Sequence, residues 1–411
     1  MTDASSDYEQ LLALHHAMQL RRSLRADGPA KPSPRRRRTD YPQRAEDQEL
    51  MVTSLETIGA SADEVVRSFY HRLFSDHPYL RGLFPPGLRA DSDRLFTALI
   101  GLAEGLSDLP RLTEGLEQLG RDHRKYGIRP AHHDAVRDAL VGALSDHAGP
   151  AWRREYEEAW ARAYDFAATV MNGAEAASTD PPYWQGTVVA HHRPYLDIAV
   201  MKVRTDAAYR YRAGQYATIE VPGHPRAWRP YSMATAPRPD GLLEFHVRAV
   251  DLGDVSTALV HEIDVGSTLR LGPPMGTAVV STTGQRPLLV IAGGTGLAPC
   301  RAIVEQVLAT QPGRPVQLYF AARRTQELYN LPTLAQLAER HPALTLVPVA
   351  TEDPDFPGTR GPLPDVVTQA GPWHEHEVYL SGPPGLVHAL DRTLARLKVP
   401  PEQVHHDPLP G

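Results

Sequence analysis

The stretch Leu288-Leu-Val-Ile-Ala-Gly-Gly-Thr-Gly-Leu-Ala-Pro299 joins an apolar strand to a glycine-rich turn and to the start of a predicted helix. Glycines let the backbone approach a pyrophosphate, and a helix N-terminus offers it unpaired N–H groups. Because Pro299 stands where the usual dinucleotide fingerprint has a third glycine, a turn that only closes a strand–helix corner is the alternative. The candidate nucleotide contacts are Gly293, Gly294, Thr295, Gly296 and Pro299.

The regions on either side of this stretch differ in pattern. Downstream of Pro287, apolar strands alternate with helices, which is typical of a parallel α/β sheet. Upstream, from Pro181-Pro182 onward, short alternating segments are separated by Gly and Pro, which favours a small antiparallel β-barrel. The predicted strands are 197–203, 216–221, 242–248, 288–292, 316–320, 344–349 and 378–380, and the predicted α/β helices are 301–308 and 334–339.

Residues 46–178 are predicted to be all-α, because apolar residues recur there at helical spacing. A long final helix is predicted to begin at Pro150, a residue suited to a first turn, and to run to about Gly173. The predicted fold class is therefore multidomain: an all-α domain, an antiparallel β-barrel and an α/β parallel-sheet domain. The predicted boundaries are 1–44 for a basic extension, 45–178 for the helices, 183–283 for the barrel and 285–411 for the α/β domain.

Composition narrows the class of protein. A chain of 411 residues is too long for one core, and none of its apolar runs approaches the length of a membrane span. The N-terminus lacks the pattern of a signal peptide, and the single cysteine, Cys300, excludes an internal disulfide. These features favour a cytoplasmic location.

The first 44 residues are basic, with nine Arg/Lys against five Asp/Glu, although the whole chain has a net charge of −6. The run Arg35–Arg38 lies among prolines, where a packed element is not expected. A solvated tail is the favoured interpretation, and a weak contact with an anionic partner is the alternative. No nucleic acid is expected as a partner.

Three segments in a fixed order carry a resemblance to the ferredoxin–NADP reductase superfamily, whose members pass electrons from a nicotinamide to a flavin. They are Arg229-Pro-Tyr-Ser232, Gly293–Pro299 and Ser381-Gly-Pro-Pro-Gly385. The resemblance implies that Arg229 pairs with the FAD phosphates, Tyr231 packs on the isoalloxazine and Ser232 bonds near its reactive nitrogen. Ser381, Gly382 and Pro383 would flank the nicotinamide.

The same resemblance extends to two further flavin contacts. Gln215-Tyr216 matches a flavin-facing pair, and Gly253-Asp-Val-Ser-Thr257 matches a second pyrophosphate loop, in which Gly253, Val255, Ser256 and Thr257 take part. Two positions depart from the family: Ser381 stands where many relatives have Cys, and Leu409 stands where they have an aromatic residue.

Two other features of the α/β region are interpreted from the residues alone. Cys300 begins a predicted helix, where a thiol pKa can fall, but a small buried apolar residue is the favoured interpretation. Arg323 and Arg324 follow the second strand, where an adenosine 2′-phosphate would lie. NADH and NADPH both stay open.

His123 is the informative residue of the helical region. It continues the apolar stripe of Leu112, Leu116 and Leu119, where an inward histidine is usually a satisfied core residue. The segment Leu119–Pro130, however, resembles the proximal haem-binding segment of flavohaemoglobins, and the downstream reductase pair completes that arrangement. The chain from about residue 45 to 411 is identified by this resemblance with flavohaemoglobins, and it is similar to the divergent forms of high-GC bacteria.

That resemblance implies specific haem contacts. His123 matches the proximal iron ligand, Tyr70 the distal tyrosine that hydrogen-bonds the bound gas, and Glu175 the glutamate beside the proximal histidine. Phe84 and Leu95 match haem-packing residues. The departures are Asp122, His133 and, uncertainly aligned, Asp91, which stand where relatives have Lys, Tyr and Gln.

The implied function is an NAD(P)H-dependent nitric oxide dioxygenase that oxidises nitric oxide to nitrate with O2. Electrons would pass from NADH or NADPH to FAD and then to haem b, and the cofactors would carry the chemistry. Two alternatives stay open: a haem-based gas-binding or sensing protein kept ferrous by its own reductase, and an NAD(P)H flavin reductase for another acceptor.

Overall fold

The computed structural model describes residues 41–58, 62–84, 92–251 and 253–407. The chain divides into two compact units, with the division between Pro182 and Tyr183. The run Arg35–Arg38, Asp91 and Leu409 lie outside the described residues, as does the side chain of Leu95.

The first unit is helical, as predicted. Its amphipathic fourth helix is capped by the Asp108 carboxylate, which accepts a hydrogen bond from the Arg111 N–H at 3.2 Å. A short 3-10 turn follows that helix and ends at Gly127, whose φ of 72° suits a residue without a side chain. The helices are α1 Arg44–Ile58, α2 Ala62–Asp76, α3 Ser92–Gly105, α4 Leu109–His123, α5 His132–Ala148 and α6 Arg154–Ala177.

Helices α4 and α6 cross at very short range. A Cβ atom placed on Gly120 would lie 2.4 Å from the carbonyl oxygen of Met171, so only glycine permits this approach. His123 follows Gly120 by three residues and is therefore carried on the part of α4 that packs against α6.

The start of the last helix differs from the prediction. Pro150 lies in a short 3-10 turn, Gly149–Ala151, which the Trp152 N–H closes by donating to the Gly149 carbonyl at 3.0 Å. Trp152 and Arg153 are extended, and α6 begins at Arg154. Proline suits the first turn of a 3-10 helix as well as that of an α-helix, so the sequence could not distinguish the two.

The second unit begins with a six-stranded antiparallel sheet of order β4-β3-β6-β1-β2-β5. The predicted barrel is not a closed ladder: the edge strands β4 and β5 meet through a single bridge, between Met233 and Phe245. Strand β4 is short and contains Pro230, which has no N–H to donate to a continuous ladder. The elements are β1 Trp184–Tyr195, β2 Ile198–Thr205, β3 Tyr216–Glu220, β4 Arg229–Ser232, β5 Leu242–Arg248, α7 Asp254–His261 and β6 Thr268–Leu271.

A six-stranded sheet of order β10-β9-β8-β7-β11-β12 follows, with every strand pair parallel. All six residues of its central strand β7 are buried, because helices cover both faces, and this explains the unbroken apolar run. The strands are β7 Leu288–Gly293, β8 Val316–Ala322, β9 Leu344–Ala350, β10 Thr359–Arg360, β11 Glu377–Ser381 and β12 Val404–His405. The helices are α8 Leu297–Thr310, α9 Leu331–Arg340, α10 Leu363–Ala370 and α11 Pro384–Arg396.

Candidate functional site

The imidazole of His123 lies at the end of α4 with its Nδ1 atom buried. Nδ1 has no hydrogen-bond partner among the described residues. Burial lowers the pKa of the ring to about 4, so the imidazole is neutral at physiological pH. A neutral imidazole is the form that ligates a metal ion.

Glu175, which the resemblance places beside the proximal histidine, makes no hydrogen bond to His123 Nδ1 within the described residues. The negative charge of Glu175 instead affects His133. Burial lowers the pKa of His133, and the hydrogen bond of Asn172 and the charge of Glu175 partly oppose that shift. His133 Nδ1 and the Tyr164 hydroxyl lie 3.2 Å apart. The polar groups of α5 and α6 thus pair with one another and leave His123 Nδ1 without an acceptor.

A buried ion pair flanks His123. The ammonium of Lys125 donates to the carboxylate of Asp122, and the two side chains are almost completely enclosed. The pKa of Asp122 is raised by burial and partly restored by Lys125. Asp122, one of the departures from the family, is therefore paired with a lysine three residues later.

Tyr70 and Phe84, the two predicted distal residues with described side chains, lie in one aromatic cluster. Their ring centroids are 5.7 Å apart in an edge-to-face arrangement. Phe74 completes the cluster, with its ring 5.8 Å from Tyr70 and 5.2 Å from Phe84. Leu116, in the same helix as His123, and this aromatic cluster belong to one apolar core.

These residues fit a haem. The buried Nδ1 of His123 supports this fit. A polar atom that is enclosed without a partner costs free energy, and such a cost is more often found at functional sites than elsewhere. A neutral imidazole beside an apolar, aromatic-rich core is the chemistry that a haem iron and porphyrin need.

The predicted flavin contacts come together on neighbouring strands. Tyr216 on β3 lies opposite Ser232 on β4, and the Met233 N–H donates to the Gln215 carbonyl at 3.2 Å. The hydroxyls of Tyr231 and Ser232 make no hydrogen bond within the described part of the chain. Exposed Arg229 donates one guanidinium N–H to the Trp228 carbonyl at 3.1 Å, and a guanidinium has further donors that suit a phosphate.

The segment Gly253–Thr257 is a helix start and not a loop, which corrects the prediction. Helix α7 begins at Asp254 with Gly253 at its N-cap, and Val255 and Ser256 are buried in its first turn. The Ser256 hydroxyl donates to the Gly253 carbonyl at 2.9 Å and accepts from the Val250 N–H at 3.2 Å. What remains for an anion is the set of backbone N–H groups at the helix N-terminus.

The two predicted nicotinamide segments pack backbone against backbone. A Cβ on Gly296 would lie 2.4 Å from the Ser381 carbonyl, and one on Gly382 would lie 3.2 Å from the Gly293 Cα. Ser381 ends β11 and pairs with Ala292 on β7, so both segments leave the carboxyl edge of the sheet together. That edge is where open α/β sheets bind nucleotides.

Cys300 and the two arginines after β8 have contrasting environments. Cys300 is buried, burial raises the pKa of its thiol, and its Sγ contacts the Ile291 carbonyl, which supports a packing role. Arg323 is exposed and lies 3.6 Å from Glu327, and Arg324 is also exposed. Their position leaves NADH and NADPH both open.

Sequence reasoning missed Lys125, Gly120 and the polar contacts of Arg301. The i, i+3 spacing of Asp122 and Lys125 was a readable signal, because such residues meet on a helix. A glycine one turn before His123 on an apolar stripe was a second signal for close helix packing. No sequence signal could have paired Arg301 with a strand of the other sheet.

Comparison with protein families supports each region separately. The Globin profile matches residues 67–171, the Oxidoreductase FAD-binding domain profile matches 186–279, and the Oxidoreductase NAD-binding domain profile matches 290–392. The protein is thus an oxidoreductase in which a globin domain is joined to FAD-binding and NAD-binding domains. Haem, FAD and NAD are the cofactors of these domains, as predicted, and globin domains bind gases such as O2.

Similar proteins cover the whole arrangement. A "Flavohemoprotein" of Deinococcus radiodurans is 28% identical over 386 residues, 87% of this chain and 94% of its own length. The flavohemoglobin of Malassezia yamatoensis, whose crystal structure has bound FAD and haem, superposes with a TM-score of 0.74 at 20% identity, over 88% of this chain and 98% of its own. The chain therefore has the domain arrangement of these flavohaemoglobins, a globin domain followed by FAD-binding and NAD-binding domains.

The reductase half has its own relatives. The ferredoxin–NAD(P)+ reductase component of the naphthalene 1,2-dioxygenase/salicylate 5-hydroxylase systems of Ralstonia sp is 37% identical over 228 residues. The match spans 54% of this chain and 68% of that protein. Within the described residues, no helix is long and apolar enough to cross a membrane.

Proposed function

We propose that the protein is an NAD(P)H-dependent nitric oxide dioxygenase. Two molecules of nitric oxide and two of O2 would consume one NAD(P)H and yield two nitrate ions, NAD(P)+ and a proton. The proposal is supported by the buried Nδ1 of a neutral His123, which has no partner among the described residues, in a chain that also holds both reductase domains.

When bound, the haem iron would supply O2 binding and the flavin would supply electrons drawn from the nicotinamide. His123 would hold the iron, Phe84 and Leu95 would pack on the porphyrin, and the Tyr70 hydroxyl would donate a hydrogen bond into the distal space. The ring of Tyr70 packs against Phe74 and Phe84, so its hydroxyl would act beside apolar neighbours.

The reductase residues would bind and orient the other two cofactors. Arg229 would neutralise FAD phosphate charge, and the N-terminus of α7 would add backbone N–H groups. Tyr231, Ser232, Gln215 and Tyr216 would line the flavin ring. The glycine turn Gly293–Gly296, Pro299 and Ser381–Pro383 would hold the nicotinamide nucleotide, and backbone contacts leave no room for a larger side chain at Gly296.

Nitric oxide consumption in air tests the proposal, measured with an electrode on the protein purified with haem and FAD. We expect NADH or NADPH to drive consumption with nitrate as the product, and the two nucleotides are compared side by side. The matched control is His123→Ala, which should keep flavin reduction by the nucleotide and lose nitric oxide consumption.

Two other outcomes would identify the alternatives. Bound haem and FAD without nucleotide-dependent nitric oxide consumption would reject the dioxygenase and favour a gas-binding or sensing protein. A flavin spectrum without a Soret band after haem-replete expression would favour a flavin reductase for another acceptor.

A further inference from the structure

Arg301 joins the two sheets of the second unit. It lies on α8, and its Nη1 donates to Glu244 Oε1 on β5 at 2.7 Å. Its Nε donates to Glu305 Oε1, one turn further along α8, at 2.8 Å. Arg301 and Glu244 are 9% and 7% exposed, so the guanidinium pairs with Glu244 away from water, whereas Glu305 is partly exposed.

His246 and Tyr329 extend the contact. His246 Nε2 lies 3.1 Å from Glu244 Oε1, and Nδ1 lies 2.8 Å from the Tyr329 hydroxyl. Burial alone would raise the pKa of Glu244, but the hydrogen bond to His246 and the charge of Arg301 outweigh it and lower the pKa to about 2. The Glu244 carboxylate is therefore ionised, and it forms an ion pair with the Arg301 guanidinium on α8.

The same two glutamates hold the chain that leaves the predicted flavin strand β4. The Ala234 N–H donates to the main-chain carbonyl of Glu244 at 2.7 Å. The Ala236 N–H donates to Glu305 Oε2 at 3.2 Å. Segment Met233–Ala236 is thus held by β5 on one side and by α8 on the other.

Helix α8 is also the helix that follows the glycine turn. Arg301 is the fifth residue of α8, which begins at Leu297 directly after Gly294–Gly296. A shift of Arg301 would move the start of this helix relative to β4, because one turn of helix is stiff over that distance. Electron transfer between two bound cofactors depends steeply on such placement.

We propose that Arg301, Glu244 and Glu305 are positioning residues that set the flavin strand against the nucleotide-binding helix. Their joint effect is on the rate at which a bound nicotinamide reduces the flavin. This role concerns the reductase half alone and holds whether or not nitric oxide is the final substrate.

The experiment compares Arg301→Gln with Arg314→Gln in the full-length protein. Arg314 is a matched control: it is equally buried, and it pairs with Glu377 at 2.6 Å. Arg314 and Glu377 lie where β8 and β11 begin, at the amino edge of the parallel sheet. The glycine turn Gly294–Gly296 and Ser381 lie at the opposite, carboxyl edge of the sheet.

The first readout is anaerobic stopped-flow reduction of bound FAD by NADH and by NADPH. We expect Arg301→Gln to lower the limiting rate about tenfold, consistent with a small misplacement, with little change in the nucleotide concentration at half-maximal rate. Arg301→Lys should recover part of the rate, since it keeps the charge but not the two-sided fork. Arg314→Gln should leave the limiting rate unchanged.

The second readout is hydrogen exchange of the apoprotein, which does not depend on activity. In Arg301→Gln the amide of Ala236 should exchange faster, because Glu305 loses the guanidinium that fixes it; in Arg314→Gln it should not. If Arg301→Gln does not fold, Glu305→Ala takes its place, because the Glu305 side chain is partly exposed.

Three results would overturn the proposal. They are an unchanged limiting rate in folded Arg301→Gln, an unchanged Ala236 exchange rate in that variant, and an equal loss of rate in Arg314→Gln.

Discussion

Two buried histidines, one in each unit of the chain, have opposite environments. His123 in the helical unit has an Nδ1 atom enclosed without a partner among the described residues. His246 in the second unit has both ring nitrogens within hydrogen-bond distance of a partner, Glu244 and Tyr329. Burial lowers the pKa of both rings. Burial alone therefore does not separate a ligand from a structural histidine, and these two rings differ in how many of their nitrogens have a partner.

The difference has a physical cause. A buried polar atom normally gains a partner during folding, because leaving it unpaired costs free energy. His246 obeys this rule and joins two sheets. Among the described residues His123 departs from it, which agrees with its predicted role as a haem ligand.

The largest effect is expected for His123→Ala, with His147→Ala as the control. We expect the first variant to bind no haem and to keep its FAD, because the only change is the loss of the iron ligand. His147 is a good control since its Nδ1 lies 2.9 Å from the Ala143 carbonyl of its own helix. The Soret absorbance of the purified variants measures haem binding, and the flavin absorbance measures FAD retention. Retained haem with an unchanged spectrum in His123→Ala would refute the assignment.

The next largest effect is expected at Arg229, the predicted phosphate partner of FAD. Its replacement by Gln removes a charge-assisted hydrogen bond, which is worth about 1.5–3 kcal/mol, so the Kd for FAD should rise by roughly tenfold or more. Arg204→Gln, a change at another exposed arginine of the same sheet, should leave the Kd unchanged. Fluorescence titration of the apoprotein with FAD measures both. Equal affinities would remove Arg229 from the flavin site.

His246→Leu tests the structural role of the histidine in the second unit. It leaves the Tyr329 hydroxyl and the Glu244 carboxylate short of a partner, and an unpaired buried group costs about 1–3 kcal/mol. The free energy of unfolding of the second unit should fall by that amount, as measured by urea denaturation. His374→Leu, at an exposed histidine, should change it by less than about 0.5 kcal/mol. A loss in His374→Leu as large as in His246→Leu would contradict this account.

The smallest expected effect is a pH dependence from Glu244. Its pKa is about 2 in the folded chain against an ordinary value of 4.5, so the folded state binds the proton less readily than the unfolded state. Its stabilising contribution is complete above pH 4.5 and is lost as the pH falls from there toward 2. The free energy of unfolding should fall in that range by at most about 1.4 kcal/mol per pH unit from this group.

Glu244→Gln measures that contribution, because glutamine does not titrate. The difference in unfolding free energy between the wild type and Glu244→Gln should shrink as the pH falls below 4.5. A difference that is constant with pH would show that Glu244 does not titrate as its surroundings imply.

The sequence predicted the elements whose pattern is local. Strand β5 was predicted at 242–248, and the structure has it at Leu242–Arg248. The glycine turn was predicted to lie between a strand and a helix, and it lies between β7 and α8. Alternation, apolar runs and glycines are properties of consecutive residues, so they can be read from the chain.

Other features depend on residues that are far apart in the chain. Arg301 and Glu244 are separated by 57 positions, and neither belongs to a motif. The electrostatic effect of Glu175 on His133 could not be predicted for the same reason, because only the packing of α5 against α6 reveals it. The start of α6 also depends on how the residues around Pro150 pack.

Gly120 has a mechanical consequence for the helical unit. It lies about 4.5 Å along the helix axis from His123, and its bare backbone touches Met171. A single methyl group at position 120 would push the two helices apart, and the rigid turn between would carry that displacement to the imidazole. The position of the His123 ring in the core thus depends on the missing Cβ atom of Gly120, because that gap sets the distance between the two helices.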